Sequence, residues 1–248
     1  MRLTLPLAAA LLVPAVAHAS GGGMSANWGG QGASAPGRVY TYVTLPTERG
    51  TLVAAVQRWS GEIDRWRHFS GRYGVPQVGY DGSMTGLSAD GRVLVLTEIP
   101  RTFPIRRTRL LIMNPTRFHR IERFSFPGWY SVTAISPHGR YVYLQRYTAP
   151  SRDPSRSEVV VFDRGNPGAP EAISAPASGL PTARATDGRW AYTLNQGDAS
   201  WVQALDTVTQ RVRRFEVPRL RGNDLVRLRL NGNRLRVGKT VTLTVPGA

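Results

Sequence analysis

The sequence predicts an all-β chain folded as a small β-propeller of about four to five blades, and two observations carry that expectation. The first is a hairpin that returns along the chain: LSADGRVLVLTE from Leu87, ISPHGRYVYLQR from Ile135, RATDGRWAYTLN from Arg184 and LRLNGNRLRV from Leu228. Its turn residues, Asp90-Gly91, His138-Gly139, Asp187-Gly188 and Asn231-Gly232, recur at steps of 48, 49 and 44 residues, the length of one blade. A polar residue followed by Gly between apolar runs favours a two-residue turn with positive φ at both central positions. The second is a set of β-rich runs downstream of the first three hairpins, at 108–116, 157–165 and 200–208, in which Asn114, Asp163 and Asp206 can close an Asx turn into a fourth strand. Those fourth strands are expected at 119–127, 170–176 and 210–218. A two-sheet sandwich also has many short strands, but it does not repeat one hairpin at a fixed step.

In chain order, residues 1–19 read as a secretory signal peptide: Arg2, an apolar run from Leu3 to Ala17, then Ala17-His18-Ala19 as an A-x-A cleavage site. The run is short for a membrane span and holds Pro6 and Pro14. Residues 20–37 are Gly, Ser and Ala with one tryptophan, Trp28, and read as a flexible leader with Trp28 exposed. The propeller domain is expected over 38–248. Three strands between 38 and 69 make a first blade lacking its innermost strand, and three more between 225 and 245 make a last one. Pairing between strands from the two chain ends is expected to close the ring. The connection at 70–82 and the loops at 99–108 and 146–157 should crowd one rim, where long loops are often functional. The chain has no cysteine, so an exported fold must rest on core burial without disulfides.

The pieces Ser136-Pro137-His138-Gly139-Arg140 and Val202-Gln203-Ala204-Leu205-Asp206-Thr207 resemble the repeat unit of bacterial extracytoplasmic propellers with lactonase-type (YVTN) or WD-like repeats, over roughly residues 38 to 246. That resemblance implies a propeller outside the cytoplasm. It implies no particular activity, because such propellers include enzymes, binders and scaffolds.

Charge narrows the function classes. The formal net charge is +16, with 32 basic residues against 16 acids, and Lys239 is the one lysine. Arginine forks suit phosphate and carboxylate groups, and a positive field concentrates polyanions. The expected ligand-binding residues of the rim and channel mouth are Tyr73, Tyr80, Asp81, Arg101, Arg106, Arg107, Trp129, Tyr130, Arg152, Arg156, Arg184 and Arg227. An anionic envelope polymer or a protein partner fits them. Nucleic acid does not, since no recognised module is present. A monomer is expected.

Catalysis finds little to work with. His68, His119 and His138 are the histidines after the signal, none at metal-ligand spacing, and no G-x-S-x-G elbow occurs. The resemblance implies an alternative, a lactonase-like metal-dependent hydrolase with its site in the axial channel. Among the positions near the inner strands, Asp81 and Asp224 are the carboxylates, while Arg184 and Arg227 would repel a cation. No cofactor is therefore expected. Trp59, Trp66, Trp190 and Trp201 are expected to pack between blades. Arg92, Arg140, Arg189 and Arg234, each following a turn glycine within two residues, are expected to bridge neighbouring blades or lie on one face.

Overall fold

The computed structural model describes Ala26, Trp28, residues 32–148 and 156–218, Leu220 and residues 226–247. The expected signal peptide, most of the leader, Arg152 and Asp224 lie outside the described residues. Every regular element among those described is a β-strand. The first sheet is β1 (Tyr40–Thr47), β2 (Gly50–Gln57) and β3 (Ile63–Ser70). The second is β4 (Tyr73–Gly74), β5 (Leu94–Glu98), β6 (Arg107–Asn114) and β7 (His119–Pro127). The third runs through β8 (Tyr130–Ile135), β9 (Tyr141–Tyr147) and β10 (Arg156–Asp163), with the two-residue β11 (Glu171–Ala172) and β12 (Ala177–Ser178) both on the outer edge of β10. The fourth is β13 (Leu180–Thr186), β14 (Trp190–Gln196), β15 (Ser200–Asp206) and β16 (Arg211–Val217). The fifth is β17 (Leu228–Asn231), β18 (Arg234–Val237) and β19 (Val241–Thr244).

Each sheet is an antiparallel meander in chain order, so the described residues form a propeller of five blades. Position within a blade sets the residue pattern. The inner strand β8, YSVTAI, is buried on both faces, whereas β7, outermost in its blade, alternates and shows Arg120, Arg123 and Ser125 to solvent. Apolar clusters fill the seams. Val53, Ala55 and Tyr42 meet Leu94, Leu96 and Leu111 between the first and second blades. Val95 and Ile112 meet Val132 and Leu144 between the second and third. Ala134 and Tyr143 meet Ala191 and Leu205, and Tyr192 and Val202 meet Leu235 and Val237, in the next two.

The expected closure by terminal strand pairing is not found among the described residues: the first and fifth sheets share neither a ladder nor an apolar cluster. The faces explain this. On the fifth sheet the side away from the fourth carries Arg229, Arg236 and Thr242 in register, while the first sheet leaves Trp66 62% exposed. Trp59, at 71%, is exposed as well, so these two tryptophans do not pack between blades, whereas Trp190 and Trp201 are buried.

Three further differences from the sequence reading have local causes. The recurring hairpins turn on Ser88 to Gly91 and Ser136 to Gly139, closed by Gly91 N–H to Ser88 O at 2.9 Å and Gly139 N–H to Ser136 O at 2.8 Å. Positive φ is therefore confined to Gly91 and Gly139, each the third residue of a four-residue hairpin loop between Ser88 and Val93 or Ser136 and Tyr141. Ala33, expected in a loose leader, exchanges both backbone hydrogen bonds with Tyr42 at 2.8 Å, so residues 33–35 provide the innermost strand that the first blade lacked. Ala33 and Ala35 are buried in the first seam. Finally, the connection at 70–82 is not a plain rim crossing. Tyr73–Gly74 pairs with β5, and the residues after it form a small hairpin tied by Val78 N–H to Ser83 O and Thr85 N–H to Pro76 O.

Candidate functional site

The meander gives the blades two ends. The hairpin turns at Gly91, Gly139 and Gly188 lie at one, here the turn end; the loops from second to third strand and the crossovers between blades lie at the other, the loop end. Two loop-end segments, Gly71-Arg72 and 98–109, enclose a groove of about 600 Å³. They are joined where Ile99 N–H donates to Arg72 O at 2.7 Å. Arg72, Arg101, Arg106, Arg107 and Arg109 line this groove, with Glu98 as the one carboxylate among the lining residues.

Glu98 is already engaged by Arg109 Nη1, at 2.7 and 3.0 Å. Arg107 donates to Ser125 Oγ at 3.3 Å, a neutral partner, and the Arg72 guanidinium lies 4.9 Å over the Trp28 ring. Among the described residues Arg101 and Arg106 are exposed and form no ion pair. Phe103 lies in the same loop, 41% exposed, its ring edge-on to Trp129 at 5.2 Å, and Trp129 in turn lies 4.5 Å from Tyr147. The groove thus pairs a cationic wall with an aromatic corner. The buried Trp129 Nε1 has no hydrogen-bond partner.

The lining is positioned by a repeated crossover. Thr51 Oγ1 donates to Gly71 O at 2.9 Å and accepts from Tyr73 N–H at 2.8 Å; Thr108 Oγ1 does the same for Gly128 O at 3.0 Å and Tyr130 N–H at 2.9 Å. Gly71-Arg72-Tyr73 and Gly128-Trp129-Tyr130 are therefore equivalent. The two tyrosines are buried in the seams, and the middle residues, Arg72 and Trp129, occupy matching places at the loop end. Burial raises the Tyr73 hydroxyl pKa, with Glu98 adding to it and Arg123 opposing, so the ring acts as a neutral wedge. Arg109, part of the same basic stretch as Arg101, Arg106 and Arg107, lines the groove too, and Arg72 completes it without having been singled out in the sequence, although the Gly-x-Tyr repeat marks it.

Of the expected site residues, Arg101, Arg106 and Arg107 come together in the groove, with Trp129 beside Phe103. Arg156 opens β10 opposite Ser178, and Arg227 precedes β17 with its carbonyl bonded to Gly238 N–H; neither lines the groove. Tyr80, 39% exposed, and Asp81 form the tip of the 76–85 hairpin. That tip reaches Thr182 on β13, two blades away, where Asp81 N–H donates to Thr182 O at 3.0 Å. It thus links the second blade to the innermost strand of the fourth. Asp81 Oδ1 is used in an Asx turn by Ser83 N–H and Oγ, at 2.9 and 2.5 Å. No group of three His, Asp or Glu that could hold a metal occurs among the described residues.

No protein-family profile and no curated protein matches the chain in sequence. Solved structures do match it in fold. One, from a study of two prolyl endopeptidases, is 14% identical at a TM-score of 0.50, over 83% of this chain and 30% of that one. TolB from Acinetobacter baumannii is 17% identical at 0.48, over 86% and 50%, and BamB from Moraxella catarrhalis is 16% identical at 0.47, over 87% and 60%. The chain spans half or less of the first two. At these identities the likeness concerns the path of the chain alone.

Proposed function

We propose that this protein is an exported, non-catalytic binding module that holds an anionic envelope polymer, one bearing phosphate or carboxylate groups, along the loop-end groove. The observation that carries the reading is five arginines facing one already engaged carboxylate. Planar guanidinium forks bind such oxyanions in pairs of charge-assisted hydrogen bonds. Phe103, exposed and backed by the buried Trp129, offers an apolar surface beside them, suited to the carbon backbone between charged groups. The net charge of +16 supports capture by a general positive field, and Ala17-His18-Ala19 supports export. Among the described residues no helix is long and apolar enough to cross a membrane.

A poly(glycerol phosphate) wall polymer, titrated into the full mature protein, tests the reading. Affinity is expected to fall steeply as salt rises through ~0.1 M, where the screening length is about 10 Å. R101S/R106S/R107S should bind about tenfold or more weakly, since three exposed contacts are worth ~0.2–1 kcal/mol each. Salt-independent binding, or an unaltered affinity in the triple variant, overturns it.

A further inference from the structure

On the far side of the 76–85 hairpin from the loop end, the axis holds a second, smaller cavity of about 30 Å³. Four blades reach it: Ser34 and Ala35 from the first, Thr85 from the second, Ile135 from the third and Arg184 from the fourth. Arg184, on β13, is the charged side chain in this lining. Its Nη1 makes one long bond, to Met84 O at 3.4 Å, and its Nε is shut away from solvent with no hydrogen-bond partner. Burial is the one influence on its acidity, pushing the guanidinium down to about 10, so at neutral pH it keeps its charge. The nearest acid along the strand, Asp187, gives Oδ1 to the amides of Arg189 and Trp190, and its charge acts on Arg189 and Tyr192 instead.

Arg184 is half-buried, with its Nε sealed from solvent, and a partly desolvated charge without a counter-charge is costly. One water needs ~10–15 Å³ of such space, so this cavity has room for a pair of waters or one monatomic ion and excludes a polymer phosphate. Water would supply hydrogen bonds and leave the charge uncompensated. We propose that the axial cavity binds a small halide-sized anion, chloride in the native setting, as the counter-ion of Arg184. Ser34 and Thr85 bring hydroxyl groups to the same lining, and an anion there ties the innermost strands of the first, second and fourth blades together. The site is independent of the groove and stands or falls separately from polymer binding.

Bromide is the probe, for its anomalous scattering and near-chloride size. In crystals of the full protein soaked in sodium bromide, an anomalous peak is expected within hydrogen-bonding distance of Arg184. In solution, sodium bromide should raise the melting temperature over sodium gluconate at equal ionic strength, saturably, by about 3–6 °C at tenfold excess over Kd. The rise should vanish in R184M and persist in R101S/R106S/R107S. No peak at Arg184 in the unmodified protein overturns the proposal even if R184M does not fold. A bromide effect retained in R184M, or lost in the groove variant, overturns it too.

Discussion

At the turn end of the blades, an arginine beside a turn glycine reaches an aspartate that closes the next turn of the same blade; at the loop end, arginines surround a groove with one carboxylate among them. Arg140 grips Asp163 through Nε and Nη2 at 3.1 and 2.8 Å, and Arg189 grips Asp206 the same way at 3.2 and 2.8 Å. These forks lie within one blade; other arginines bridge blades, as Arg164 does by donating from Nε to Glu122 at 3.0 Å and Arg67 by donating to Phe118 O at 2.6 Å. In the second blade the matching position is Asn114, and no ion pair with Arg92 forms. The same side chain thus builds structure where an acid is set opposite it and leaves a field where none is. Stability should be sensitive at the turn end and binding at the loop end.

The turn end can be disrupted most severely at Gly139. Its φ is +72°, and a Cβ there would lie 2.2 Å from Val93 Cγ2 and 2.5 Å from Val93 Cβ, inside the seam with the second blade. Gly139→Ala should cost about 3 kcal/mol, from left-handed strain plus overpacking, read as a lowered urea midpoint. Gly232→Ala, at φ +55° with nothing within 4 Å, should cost only ~1 kcal/mol.

Asp206 comes next. Besides the Arg189 fork it accepts from Val208 N–H at 2.9 Å and Thr209 N–H at 3.2 Å. Burial works to raise its pKa; the fork and the two amides outweigh it and hold the carboxyl well below the usual carboxylate range. A folded value below the unfolded one, about 3.9, means the stabilisation is complete above that pH and drains as pH falls beneath it. Asp206→Asn should lower stability by about 2 kcal/mol at pH 7 and flatten the loss of stability below pH 4. An unchanged acid limb would show that Asp206 does not set it.

The smallest effect comes from adding what the second blade lacks. Asn114→Asp places a carboxylate where Asp163 and Asp206 stand, with Arg92 beside it, and should stabilise by about 0.5 kcal/mol at low salt and less at high salt.

The blades were legible because their signals are local. Asn114, Asp163 and Asp206 do accept from Thr116, Gly165 and Val208 N–H as Asx turns, and β7 spans His119–Pro127 where a fourth strand was expected. What escaped was set by distant partners. Ala33-Ser34-Ala35 has no β-branched or aromatic residue, and it becomes a strand because Tyr42 offers an edge. The 76–85 hairpin reads as a glycine-rich loop until Thr182 supplies an acceptor from two blades away. The absence of a terminal seam among the described residues depends on which faces of β3 and β18 turn outward, a register that short alternating runs do not fix. In the site, Arg101, Arg106 and Arg107 were legible as a basic loop, whereas Arg72 needs the crossover that Thr51 holds.

The most direct test removes equal charge from the two ends. R101S/R106S/R107S at the groove and R92S/R117S/R120S at the turn end each lower the net charge by three. Titrated with the same poly(glycerol phosphate) at one low salt concentration, the groove variant should bind about tenfold or more weakly and the turn-end variant within about twofold of the unaltered protein. Equal losses in both would mean that net charge alone attracts the polymer, and would contradict the groove as its seat.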